Sequence, residues 1–161
     1  LRCNEAKLDK VNDKYSIFGD PTEGALLTLV GKSEFSDKDF EGEQKDIFPF
    51  DSDRKMMSVL VKSRENLEVL VKGSPDQVLE KCTYWFDGVK KHKLTDKKLE
   101  SIRAHYTQMA ENALRVLGFA YRTVKSNEDV NTEEIAENEL VFVGLVGMID
   151  PPRAEVKEAV D

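Results

Sequence analysis

Thiols and imidazoles are scarce here: 161 residues include two cysteines and two histidines. Cys3 and Cys82 stand far apart without metal-ligand spacing, and read as reduced, buried residues of a cytosolic protein rather than a disulfide. His92 and His105 have no Cys, Asp or Glu constellation at ligand spacing, so neither a metal centre nor imidazole catalysis is indicated. No serine has a strand–elbow context, which removes a Ser/His/Asp arrangement. No apolar run approaches the ~18–20 residues that a bilayer crossing needs. No secretory pattern and no Asn-x-Ser/Thr sequon occurs. Positive charge is also short, with 24 Lys and Arg against 31 Asp and Glu and a net charge of -7. That balance argues against nucleic acid as a general partner, though converging cations could hold an anionic small molecule.

What is present suffices for one domain with a substantial core. "YSIFGDPTEGALLTLVGK" reads as a strand, a turn and a helix capped by Asp20, with Pro21 at its first position and Glu23 completing a capping box. "LVGKS" (29–33) fails as a phosphate loop, because Leu26 stands where glycine is required; Gly31 reads instead as the helix cap. Residues 32–43 are polar and read as a loop. Three strands follow, "KDIFPFDS", "MMSVLVKS" and "LEVLVKG", the last two joined by a hairpin loop at Arg64-Glu65-Asn66. Ser74 caps a short helix, and Asp87-Gly88 turns a second hairpin. Thr95 opens the longest helix, to about Ala113, with Leu99, Ile102, Tyr106, Met109, Ala110 and Ala113 on one face. "RVLGFAYRTV" and "LVFVGLVGMI" are apolar strands flanking an acidic stretch, 126–139. Pro151-Pro152 is the hinge candidate. Hairpinned strands with helices in blocks predict an α+β fold, a mainly antiparallel sheet flanked by helices.

The chemistry-bearing residues are scattered: Glu23, Phe50, Arg54-Lys55, Lys72-Gly73 and Arg115. Singly, each has a plain structural explanation in capping, core packing or a solvated turn. Lys72-Gly73 is the most suggestive, a cation at the end of an apolar strand beside a residue that lets a backbone or a ligand come close.

Together they carry a resemblance. "GDPTEGAL" (19–26), "FPFDSDRKMMSV" (48–59), "VKGSPDQVL" (71–79), "RVLGFAYR" (115–122) and "GLVGMIDPPR" (144–153) occur in the order found in the nucleotide-binding domain of P-type cation-transporting ATPases. The chain resembles most the calcium-pump branch in a compact, bacterial-looking form. The usual Lys-Gly-Ala-Pro-Glu reads Lys-Gly-Ser-Pro-Asp here, which keeps a cap and a negative charge at the helix start.

The resemblance implies ATP as ligand. Phe50 is expected to stack on adenine, Lys72 to lie deep in the pocket with Gly73 permitting close approach, and Glu23, preceded by Thr22, to meet the adenine amino group. Leu117 is expected to line the pocket. Lys55 and Arg115 are expected to reach the ribose or phosphates, and Arg54 counts among the nucleotide-binding candidates. No catalytic or metal-ligating residue is expected. The family's phosphorylated aspartate, in Asp-Lys-Thr-Gly-Thr, is not among these residues, so the chain alone is expected to bind ATP without turnover.

The resemblance further implies residues 1–149 as the nucleotide-binding domain and 150–161 as the hinge and start of a phosphorylation domain. Partners would be the phosphorylation and actuator domains of the same pump, with Mg²⁺ accompanying ATP. The setting would be the cytoplasmic side of a membrane protein, in a bacterial plasma membrane, with no membrane or nucleic-acid contact by this segment. The opening at Leu1 reads as an excised segment. The alternatives are a free-standing nucleotide-binding module, a pure interaction domain, or a pump for Mn²⁺, Mg²⁺ or Na⁺.

Overall fold

The computed structural model describes residues 3–4, 6–11, 14–33, 42–63, 66–125 and 128–149. The Arg64-Glu65 part of the expected hairpin loop, residues 34–41 of the polar connection and the 150–161 hinge segment lie outside the described residues.

Two sheets form. β1 (Lys7–Val11) and β2 (Lys14–Phe18) make an antiparallel ribbon. β3 (Glu43–Asp51), β4 (Met56–Lys62), β5 (Leu67–Gly73), β6 (Cys82–Phe86), β7 (Lys91–Lys93), β8 (Arg115–Thr123) and β9 (Leu140–Met148) join in the order β3-β4-β5-β8-β9-β6-β7. Every pair in the large sheet is antiparallel except β6 with β9. The chain is therefore α+β with a mainly antiparallel sheet, as the hairpin pattern predicts. β1 was not foreseen, because its "KLDKV" alternation is too polar to read as a strand.

Period-two alternation sorts the sheet into two faces. Val69, Val71 and Gly73 share one side of β5, and Ala120 and Gly118 lie opposite the last two on β8. That side receives α2 (Pro75–Glu80), α3 (Asp96–Glu111) and α4 (Glu133–Ala136). A core of Phe48, Met56, Leu60, Val69, Val71, Val78, Ile102, Leu140 and Phe142 fills the gap. Each such side chain, fully buried, stabilises by about 1.5–3 kcal/mol relative to exposure. The opposite side, carrying Leu70 and Lys72, faces α1 (Pro21–Gly31).

The helix ends follow their signals, with three differences. Asp20 accepts from the Thr22 and Glu23 N–H groups at 2.8 and 3.3 Å, and Thr95 accepts from Lys98 N–H. Ser74 occupies the N-cap of α2 without a side-chain capping bond. Gly31 is the last residue of α1, and Lys32 closes the helix in right-handed geometry, so no left-handed glycine cap forms. Ala110 is exposed and Ala113 lies past α3 at φ 56°, which shortens the apolar face expected there. α4 was hidden inside the acidic stretch.

Candidate functional site

A cavity of about 400 Å³ opens where the start of α1 meets the end of β5 and the start of β8. Small-molecule sites commonly have ~300–1,000 Å³. Seven of the nine candidate residues line it: Thr22, Glu23, Phe50, Lys72, Gly73, Arg115 and Leu117. They come from four separate stretches of chain, brought together only by the sheet order.

The floor is a buried ion pair. Lys72 Nζ lies 2.5 Å from Glu23 Oε1, with side-chain exposures of 8% and 14%. Glu23 Oε2 also accepts from the Ala6 N–H at 2.9 Å, so the carboxylate ties α1 to β5 and to the residue before β1. Lys72 thus sits inside the sheet and paired, since β5 is third of seven strands. The Glu23 carboxylate, expected to complete a capping box, bonds to Lys72 and to the Ala6 N–H.

Phe50 reaches the same cavity by an irregularity. Alternation would put it on the side of Phe48, which is in the opposite core. A register shift between Phe48 and Asp51 lies between the two, and a bulge of this kind re-aims a side chain. The ring ends up 63% exposed, facing the cavity instead of a packing partner.

Gly73 answers a question its sequence position posed. A Cβ there would stand 2.5 Å from Met56 Cβ and 2.6 Å from the Lys55 carbonyl oxygen. The close approach it permits is that of another backbone: the Ser74 N–H donates to the Lys55 carbonyl at 2.9 Å.

Arg54 and Lys55 are not brought into the cavity lining. Arg54 is turned to Glu137 and the Pro49 carbonyl. Lys55 sits at φ 54° with an exposed side chain beside the site. Conversely, the lining includes Gly19, Asp20, Met57 and Ser74, none of which was named as a site residue from the sequence, Asp20 and Ser74 being read only as helix caps. Met57 was reachable in principle, because it pairs directly with Lys72 across β4 and β5. Burial works against ionisation of Asp20, but hydrogen bonds from the Glu23 and Thr22 N–H groups, with the charge of Arg115, hold its carboxyl below the usual range. The rim therefore carries both signs of charge.

A larger cavity, about 550 Å³, lies under α1 against Leu70, Phe119 and Val146. Among the described residues, no lysine or arginine lines it. An anionic ligand has its counter-charges in the smaller one. Among the described residues no cluster of His, Cys, Asp and Glu could hold a metal ion. No described helix is long and apolar enough to cross a membrane.

The fold is thus an α+β domain with a cavity of small-molecule size lined by an aromatic ring and charged side chains. The comparisons sharpen this. Residues 1–155 match the family model of the P-type ATPase cytoplasmic domain N. A calcium-transporting ATPase of Bacillus subtilis is 39% identical over 98% of this chain, and a cation-transporting ATPase of Synechocystis is 35% identical over 99%. A sodium/potassium exporting P-type ATPase of Saccharomyces cerevisiae is 30% identical over 94%. In each case the alignment covers 18% of the relative's length, so the chain spans less than a fifth of the relatives it matches. The chain belongs to the P-type cation ATPase family, as its cytoplasmic N domain.

Proposed function

We propose that this domain binds ATP in the cavity at the start of α1, holding the adenosine and leaving the γ-phosphate directed outward. The observation that carries the reading is the convergence of an exposed aromatic ring, a buried Lys72–Glu23 pair and Arg115 in one cavity. A free π-face suits a base, and stacking contributes about 1–3 kcal/mol per base. Glu23 has two accepting oxygens with about four lone-pair sites. An adenine amino group would donate to this carboxylate. Arg115 lines the cavity, where ribose and phosphate would pass, and Lys55 lies in the exposed turn that follows Phe50. These local cations offset the domain's net charge of -7. Arg54 is left out of the ligand set.

In the whole protein we propose that the γ-phosphate goes to an aspartate on the phosphorylation domain, with the actuator domain completing the cycle. Phosphoryl transfer of this kind rests on positioning and on Mg²⁺ bound with the nucleotide. This chain supplies positioning. The calcium-transporting names of several relatives support Ca²⁺ as cargo, and the bacterial sources of those relatives support a bacterial membrane as the setting.

The test is an amide-resolved NMR titration of the chain with ATP and with GTP, repeated on Phe50→Ala. Shifts around Glu23, Phe50, Lys72 and Arg115, larger with ATP, are expected. Phe50→Ala should weaken binding by about 1–3 kcal/mol. Silence of those amides at millimolar nucleotide would remove the reading.

A further inference from the structure

Arg54 is the residue whose place departs furthest from expectation. It lies in the turn between β3 and β4, one residue before Lys55 and four after Phe50, both of which the nucleotide reading needs. Its guanidinium is only partly exposed, with Nε 3.2 Å from Glu137 Oε2, an ion pair without the alignment of a hydrogen bond. Glu137 follows α4, 83 positions along the chain, and its side chain is 1% exposed. Glu137 Oε1 accepts from Ser58 Oγ at 2.8 Å. Ser58 and Phe48 are register partners on the helix-covered side of the sheet, away from Lys72.

The same guanidinium grips the other end of the turn. Arg54 Nη2 donates to the Pro49 carbonyl at 2.6 Å, and that carbonyl belongs to the peptide bond leading into Phe50. The turn itself is closed by Asp51, whose carboxylate accepts from the Asp53 and Arg54 N–H groups at 3.0 and 2.9 Å. The Lys55 N–H returns to the Asp51 carbonyl at 2.7 Å. One arginine therefore connects the peptide plane of Phe50, the turn carrying Lys55 and a buried carboxylate anchored on β4.

We propose that Arg54 and Glu137 form an internal latch that sets the β3–β4 turn, making Arg54 a positioning residue for the nucleotide and not a ligand to it. The proposal rests on the nucleotide reading above. A buried carboxylate is retained here although an apolar pair would fill the space, and a geometric task accounts for it. The register shift between Phe48 and Asp51 makes such a task necessary, because an irregular strand segment has fewer ladder bonds to fix the ring.

The test compares adenosine and ATP on the whole chain, using Arg54→Met, Glu137→Gln and the two combined. A latch predicts that both single variants lower the affinity for adenosine and for ATP by the same factor, roughly tenfold. The combined variant does no worse than either alone, because the pair acts as one unit. Without nucleotide, the Phe50 and Lys55 amides shift in both variants. A phosphate contact by Arg54 predicts instead that ATP binding falls, adenosine binding is spared and Glu137→Gln is silent; that pattern overturns the proposal. Unchanged affinities in variants that are folded but less stable also overturn it, leaving the pair a structural one. If a single variant does not fold, Arg54→Met/Glu137→Met fills the space without a buried charge and carries the same comparison. A wild-type chain that binds neither ligand removes the nucleotide reading and the positioning role with it.

Discussion

Lys72 shows how a residue can be legible as a site candidate and illegible in its surroundings. Its place at the end of an apolar strand marked it as a site candidate. Its partner Glu23 lies 49 positions earlier, and nothing local announces the pairing. The pairing has a consequence for mutagenesis. Lys72→Ala leaves the Glu23 carboxylate in a site only 14% exposed, with the Ala6 N–H still bonded to it. Removing one partner of a buried pair costs about 3–5 kcal/mol, and the bond from the Ala6 N–H puts the expectation near the lower end. Phe50→Ala should change stability by less than about 0.5 kcal/mol, since the ring is exposed and packs into no core. Urea unfolding of the two variants checks this. Equal midpoints would mean that the Lys72–Glu23 pair contributes little. Lost nucleotide binding in Lys72→Ala alone is therefore ambiguous between ligand contact and fold, and Phe50 is the cleaner probe.

Elements were read well wherever one local rule governs them. Alternating apolar strands, Asp20 and Thr95 as caps, and the Asp87-Gly88 turn all behave as their residue types dictate. What failed depends on contacts between distant segments. β1 needs β2 to be a strand, and α4 is four residues in an acidic run. Phe50 changes sides through a register shift that no periodicity reveals. The tight packing at Gly73 belongs to this class as well, and it can be set against Gly147. A Cβ at Gly73 meets the Met56 Cβ at 2.5 Å and the Lys55 carbonyl at 2.6 Å, both rigidly placed. At Gly147 it meets Met109 Cε at 2.6 Å and Leu114 Cδ1 at 3.0 Å, the free ends of flexible chains. Gly73→Ala should cost about 1–3 kcal/mol and displace the β3–β4 turn, while Gly147→Ala costs less because the thioether end can swing away. Thermal unfolding with amide spectra decides it. A Gly73 variant as stable as the Gly147 variant, with Lys55 unshifted, would refute the packing argument.

At the scale of the whole molecule, the acidic connection from β8 to β9 is fastened back onto the sheet. Arg122, 7% exposed on β8, donates to both oxygens of Glu128 at 2.9 and 2.7 Å and to the Ala136 and Ile135 carbonyls. One arginine thus anchors the connection at two points while α4 supplies Glu137 to the turn beside the site. Hydrogen bonding from Arg122 above all holds the Glu128 carboxyl below the usual glutamate range, against a smaller opposing effect of burial. Because the folded pKa is the lower one, ionised Glu128 stabilises the fold fully above the unfolded glutamate value, about 4.3. That contribution fades as pH falls through the folded pKa. Glu128→Gln mimics the protonated state at every pH, so the stability gap between wild type and variant should be constant from pH 7 to about 5. It should then narrow as the wild type is acidified. Asp20, whose carboxyl is also held low, weakens both proteins alike and cancels in the difference. Urea midpoints across that range measure the gap directly. A gap that stays the same width down to pH 3 would mean that Glu128 holds the connection by shape and not by charge, and that the clamp on β8 is Arg122 with its two carbonyls alone.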